Sequence, residues 1–184
     1  MGLKILHSAD WHLGSPFAGF DDSQRALLKQ EQQSIPGKIS QLCRREKCDL
    51  LLLAGDIFDS EPARETVEVL KKALSECGAR VFITPGNHDF CAPGSLWLEE
   101  RWPENVYVFK ENRLTAVEVP ERNLVIHGAA FSGPEQPESL LAGFTAPGVG
   151  KCHIGLLHGE LDGAEARYGP IRREEAAASG LCYL

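Results

Sequence analysis

Four short clusters of carboxylate, amide and imidazole side chains mark this chain, and each follows an apolar run. Asp10-Trp11-His12 follows residues 3–6, and Gly55-Asp56-Ile57-Phe58-Asp59 follows Leu50–Ala54. Gly86-Asn87-His88-Asp89 follows residues 81–84, and His158-Gly159-Glu160 follows residues 154–157. The apolar runs read as strands. Ligands placed at successive strand ends converge on one rim of a sheet, where open α/β folds bind their ligands. A mixture of carboxylate, amide oxygen and imidazole suits divalent ions such as Mn, Fe or Zn, and needs no thiolate.

The positions suggest a division of labour. Asp10 and His12, two apart where the chain leaves a strand, can both reach one ion. Asp56 stands at the tip of the most apolar strand, where a carboxylate is costly unless a cation or hydrogen bonds compensate it. Its two oxygens make it the candidate to bridge two ions. Asn87 offers a neutral oxygen, and His158 a second imidazole from the other half of the chain. His88 is placed to meet a phosphate oxygen or protonate a leaving alkoxide. Asp59, Asp89 and Glu160 are expected to orient the ligands or hold their loops. Taken singly the motifs are weak: Asp-x-His is common, and a Gly-Asp after a strand is ordinarily a turn. All four in order, each at a strand end, point to a two-metal centre. His7 and His127 lie inside strands and His153 at the start of one; they read as packed or hydrogen-bonded histidines, and Trp11, Phe58 and Phe90 as packing.

Elements must hold these groups in place. The pattern predicts a strand over 3–9 and a polar helix over 22–33 capped by Asp21 or Asp22. Pro36 opens a separate helix running to about Lys47, because inside a continuous helix it would cost a hydrogen bond and a kink. A strand over 49–54, a helix over 62–77 ended by Gly78 and a strand over 80–84 complete a β-α-β-α-β unit, which implies parallel strands. A short helix at 95–101 then gives way to close-spaced strands at 106–109, 114–119 and 123–129, suggesting antiparallel pairing in a second sheet. Residues 132–150 read as a loop with one helical turn at 137–142. A strand over 152–157 and a helix over 171–179 follow.

The 184 residues suffice for one domain with a sizeable core,. No run is long enough to span a bilayer and no signal peptide precedes the first strand, so the cytoplasm is the expected compartment. The six cysteines lack Cys-x-x-Cys spacing and are expected to be reduced, mostly buried thiols,. A formal charge of −7 argues against a bulk field that attracts nucleic acid,. Two bound ions would offset that charge locally. Arg44-Arg45 and Arg172-Arg173 are only pairs and read as solvated helix faces.

The ordered motifs resemble those of the calcineurin-like metallophosphoesterase superfamily: Asp-x-His, Gly-Asp-x-x-Asp, Gly-Asn-His-Asp/Glu, a lone His and a final Gly-His-x-His. The stretches 7–14, 52–59 and 168–184 resemble its SbcD-type DNA repair exonuclease branch. The resemblance implies an α/β/β/α sandwich of two mixed sheets flanked by helices, filling residues 1–184 as one metallophosphoesterase domain. It places Asp10 and His12 on a first ion, Asp56 between the two, Asn87 and His158 on the second, and His88 beside the scissile phosphate. Two divalent ions, Mn²⁺ ahead of Fe or Zn, would activate water against a phosphodiester. DNA would be the substrate of the full-length parent, with an SMC-type ATPase as partner. Gly-His-x-His does not occur, although residues 179–184 resemble the segment that precedes it. The sequence is therefore expected to be the N-terminal part of a longer domain, with C-terminal strands missing and metal binding weakened. A free strand edge is then expected to drive self-association. Cys182 stands where an acidic residue is common. Two other readings stay open: a phosphodiesterase for small phosphoesters, and a non-catalytic scaffold that binds an SMC-type ATPase. The intact Asp10, His12, Asp56, Asn87 and His88 favour an enzyme.

Overall fold

Strand β2 (Leu50–Ala54) is buried at all five positions, so both of its faces must be covered,. Leu51 and Leu53 join one apolar cluster with Val67, Leu70 and Leu74 of an amphipathic helix, α2 (Arg64–Ser75). Leu50 and Leu52 join another with Val119, Leu124, Ile126, Ile154 and Leu156, which come from a second sheet. The period-2 alternation of a strand thus sets the layer order: helices, first sheet, second sheet. The computed structural model describes residues 2–148, 150–162 and 167–184.

The first sheet runs β1-β2-β3-β4, with β1 (Ile5–Ser8), β3 (Arg80–Thr84) and β4 (Val106–Val108) all parallel to their neighbours. The expected β-α-β-α-β unit is present. The expectation that 106–109 joins an antiparallel second sheet is corrected. Residues 85–105, with the short helix α3 (Leu96–Glu99), carry the chain back to the starting end of β3, as a parallel connection requires,. The second sheet is mixed: β5 (Thr115–Val119) and β6 (Leu124–Gly128) are antiparallel, and β6 and β7 (Cys152–Leu156) are parallel. Beyond it lie a small parallel pair, β8 (Glu160–Leu161) and β9 (Pro170–Ile171), and α4 (Arg173–Ala178). The 139–146 segment turns without forming a helix and is tied to α4 by Ser139 Oγ–Glu175 Oε2 (2.8 Å) and Ala146 N–Ser179 O (2.7 Å).

Three further details depart from the sequence reading. Helix α1 is continuous over Asp22–Glu46 with Pro36 inside it, capped by Asp21, whose carboxylate accepts from Gln24 N at 2.9 Å. An interior proline costs about 3 kcal/mol. Pro36, Ser40 and Cys43 lie on the buried stripe, where Ile35 and Ile39 also pack against the first core cluster, and that burial offsets the cost,. The expectation of six reduced cysteines holds for Cys43, Cys48, Cys77 and Cys91 and fails for Cys152 and Cys182, which form a disulfide. Their Cα atoms are brought to 6.3 Å because residues 182–183 run alongside β7, a proximity that chain spacing does not encode,. The edge of β7 expected to be free is therefore partly covered: Cys182 N donates to His153 O and Gly155 N to Tyr183 O, both at 2.8 Å. His127 and His153 are packed histidines as read, with Nε2 and Nδ1 2.8 Å apart.

Candidate metal centre

Because β1, β2 and β3 are parallel, their C-terminal ends share one rim, and the three loops that leave them carry Asp10, Asp56 and Asn87. Strand β7 packs face to face with this sheet and delivers His158 to the same rim, where its Nδ1–H donates to Ala54 O at 2.9 Å. That bond leaves a lone pair on Nε2 of the neutral ring. Nε2 faces Asn87 Oδ1 at 3.0 Å and Asp56 Oδ2 at 3.5 Å. In that tautomer Nε2 and the two oxygens form a set of donors that a cation fits. A histidine that binds metal through one nitrogen while donating from the other to a backbone carbonyl is the usual arrangement.

Two donor sets meet here. Asp10, Asp56 and His158 bring ligand atoms within 4.8 Å of one another, and so do His12, Asp56 and His88. Asp56 belongs to both, and its side chain is only 5 % exposed. Asn87 joins the first set through His158. Proximity thus separates Asp10 from His12, although the sequence suggests them as a pair. Asp10 and His12 both hold positive φ angles, 56° and 46°. Asp56 shares this left-handed conformation, at φ 51°. His12 Nδ1 is buried without a hydrogen-bond partner, 3.3 Å from Asp59 Oδ1 but out of line with it. Such an orphaned nitrogen fits a metal ligand.

The surrounding groups hold this geometry. Asp59 lies between His12 and His88, and its backbone oxygen accepts from His88 Nδ1 at 3.1 Å. Asp89 is buried and accepts from Gly86 N (2.7 Å), Ile57 N (2.8 Å) and Phe58 N (3.2 Å), tying the 86–89 loop to the loop after β2. Burial raises its carboxyl to about 6, against the pull of those three amides, and nearby Asp56 adds to the rise,. His88 N donates to Asp56 Oδ1 at 2.9 Å, which fixes the carboxylate plane. Glu160 sits exposed on β8, outside both donor sets. Trp11 and Phe58 are buried in the core, as read from the sequence, whereas Phe90 is half-buried.

Sequence reasoning missed several positioning groups. Gln32 is buried on α1 and donates to the carbonyls of Trp11 and His12, while its Oε1 accepts from Gly14 N at 3.1 Å. Its signal was a polar residue on the same helical stripe as Ile35 and Ile39. Phe131 packs edge-on against His158 with ring centres 5.3 Å apart. Gly55 and Gly86 are required by space: a Cβ at Gly86 would fall 2.3 Å from Asp56 Oδ1, and one at Gly55 2.4 Å from His158 Nδ1.

Comparison with known proteins bears on this arrangement. Residues 3–175 match the family model for calcineurin-like phosphoesterases. An uncharacterized metallophosphoesterase, YhaO, of Bacillus subtilis (strain 168) is 31 % identical over 193 residues, covering 98 % of this chain and 47 % of that protein. The SbcD component of the SbcCD nuclease of Staphylococcus epidermidis is 29 % identical over 123 residues, 64 % of this chain and 31 % of its own length. Its counterpart in Staphylococcus saprophyticus is 31 % identical over 106 residues, 53 % of this chain and 27 % of its own. The chain thus spans less than half the length of each of these relatives. Matched over nearly its whole length, and with oxygen and imidazole donors gathered on one strand-end rim, the chain belongs to the calcineurin-like phosphoesterase family.

Proposed function

We propose that the chain forms the metal-binding part of a two-metal phosphodiester hydrolase that acts on DNA. The observation that carries this reading is the sharing of buried Asp56 between two donor sets. Two divalent ions, Mn²⁺ first among them, would be held by Asp10, His12, Asp56, Asn87 and His158, and would supply Lewis acidity and a nucleophile at neutral pH. His88 is the most exposed of the clustered histidines, with 41 % of its side chain open, against 30 % for His12 and 12 % for His158. Its Nδ1–H is engaged by Asp59 O, so Nε2 is the atom left for the substrate, and as the imidazolium, with a proton on each nitrogen, His88 would hand the Nε2 proton to a leaving oxygen,. Asp59 and Asp89 keep the histidines and their loops in register.

DNA as substrate, and an SMC-type ATPase as partner, rest on the likeness to proteins described as components of the SbcCD nuclease. The charge of −7 favours a second reading, hydrolysis of a small phosphodiester,. No helix among the described residues is long and apolar enough to cross a membrane. The test is hydrolysis of bis-p-nitrophenyl phosphate and of linear DNA with added Mn²⁺, compared with Asp56→Asn. Cleavage of both substrates, abolished by the substitution, is expected. Cleavage of the small diester alone would favour the second reading. Activity that survives Asp56→Asn would refute the shared-carboxylate site.

A further inference from the structure

A cleft of about 580 Å³ opens directly beside His88, which belongs both to its lining and to the donor cluster. That volume lies within the ~300–1,000 Å³ of small-molecule sites. Its lining is mixed: Pro62, Phe90, Pro93 and Leu96 supply apolar surface, backed by buried Val67 and Trp97, and Ser60 and Ser95 add hydroxyls. Trp97 is held in place by its indole N–H, which donates to Asp89 O, and by Trp102, stacked on it at 4.9 Å. The rim is acidic. Glu61, Glu99 and Glu100 line it, and only Arg64 opposes them among the described lining residues. Glu100 is partly neutralised by Lys71 at 3.0 Å.

We infer that this cleft seats the nucleoside attached to the leaving oxygen of the diester. The inference rests on the proposed placement of His88 at that oxygen. Whatever the leaving oxygen carries must extend past the imidazole, and the cleft is the space that begins there. Its half-buried phenyl ring and aliphatic side chains suit the flat apolar face of a base,. Its glutamates disfavour another phosphate on the far side of the sugar. The preferred substrate is then a diester whose leaving nucleoside is the end of its chain, with no further phosphate attached.

The test begins with binding, which needs neither metal nor turnover. Thymidine, and thymidine 3′- and 5′-monophosphates, are titrated into the metal-free protein while the Trp97 indole resonance is followed by NMR. Saturable shifts of Trp97 with thymidine are expected, with affinity lowered about fivefold or more in Phe90→Ala and in Leu96→Ser. The monophosphates should bind at least about threefold more weakly, and Glu61→Gln combined with Glu99→Gln should narrow that gap. These glutamates are exposed, so the double variant is expected to fold normally. A Trp97 signal that ignores thymidine would overturn the assignment, and so would affinities unchanged in all three variants. With Mn²⁺ present, Phe90→Ala should raise KM for thymidylyl-thymidine about fivefold and leave kcat nearly unchanged. If no diester is hydrolysed, the catalytic reading falls, while the thymidine titration still decides the cleft.

Discussion

Adding one methyl group at Gly55 should damage the fold and the metal site together, and the structure sets the size of each effect. Gly55 has φ +82°, and a Cβ there would lie 2.4, 2.5 and 2.7 Å from Nδ1, Cγ and Cβ of His158. Forcing alanine into the left-handed region costs about 1–2 kcal/mol. Displacing the packed imidazole costs about 1–3 kcal/mol more. Losing its Nδ1–H bond to Ala54 O adds about 1 kcal/mol,. Gly14 supplies the control, because it has φ +92° and nothing within 4 Å of its Cβ position, so Gly14→Ala bears the backbone cost alone. Gly55→Ala should therefore be about 2–4 kcal/mol less stable than Gly14→Ala. Urea denaturation with EDTA measures this, and Mn²⁺ titration by calorimetry measures the accompanying loss of affinity. Equal midpoints for the two variants, with Mn²⁺ affinity unchanged in Gly55→Ala, would show that Gly55 does not set the position of His158.

Two other outcomes follow from the same geometry. His88→Ala should lower diester turnover about 10²–10⁴-fold while bound Mn²⁺, measured by elemental analysis, stays nearly constant; loss of both ions would instead make His88 a ligand of the His12–Asp56–His88 set. Burial, reinforced by repulsion from His153, lowers the pKa of His127 below its ordinary value, so the folded protein resists protonation there. As pH falls through about 6.5 the unfolded chain takes up that proton first, so stability is full above that pH and declines below it. In EDTA, urea midpoints at pH 7.5 and 5.5 should therefore differ less in His127→Gln than in the parent, and identical pH dependence in both would refute the buried-pair account.

The fold was legible where one periodicity decided it. The Leu50–Ala54 run and the amphipathic stripe of α2 both read correctly, because local pattern and tertiary burial agree there,. The donors of the rim were legible because strand ends are. What the sequence hid depends on contacts across the chain. Pro36 is tolerated inside α1 only because its stripe is buried against the core, and a local rule cannot see that burial. The direction of β4 was set by the connection before it, whereas close spacing of strands gives no direction. The partnership of Cys152 with Cys182 needs residues 182–183 to lie along β7. The grouping of Asp10 with His158, and of His12 with His88, depends on how closely the loops approach, and neither it nor the left-handed backbone angles at Asp10, His12 and Asp56 is revealed by residue order.

Those angles have a thermodynamic consequence. Asp10, His12 and Asp56 all occupy left-handed backbone conformations that non-glycine residues rarely adopt,. Each costs of order 1 kcal/mol or more. The cost is met when the chain folds, supported by Gln32, Asp89 and the buried strand ends, so none of it remains to be met when a ligand arrives. Affinity at the rim is thereby exchanged for stability of the empty protein. Substitutions that relax the three loops should make the free chain sturdier and its grip on cations poorer, the reverse of what damage to an ordinary core position produces.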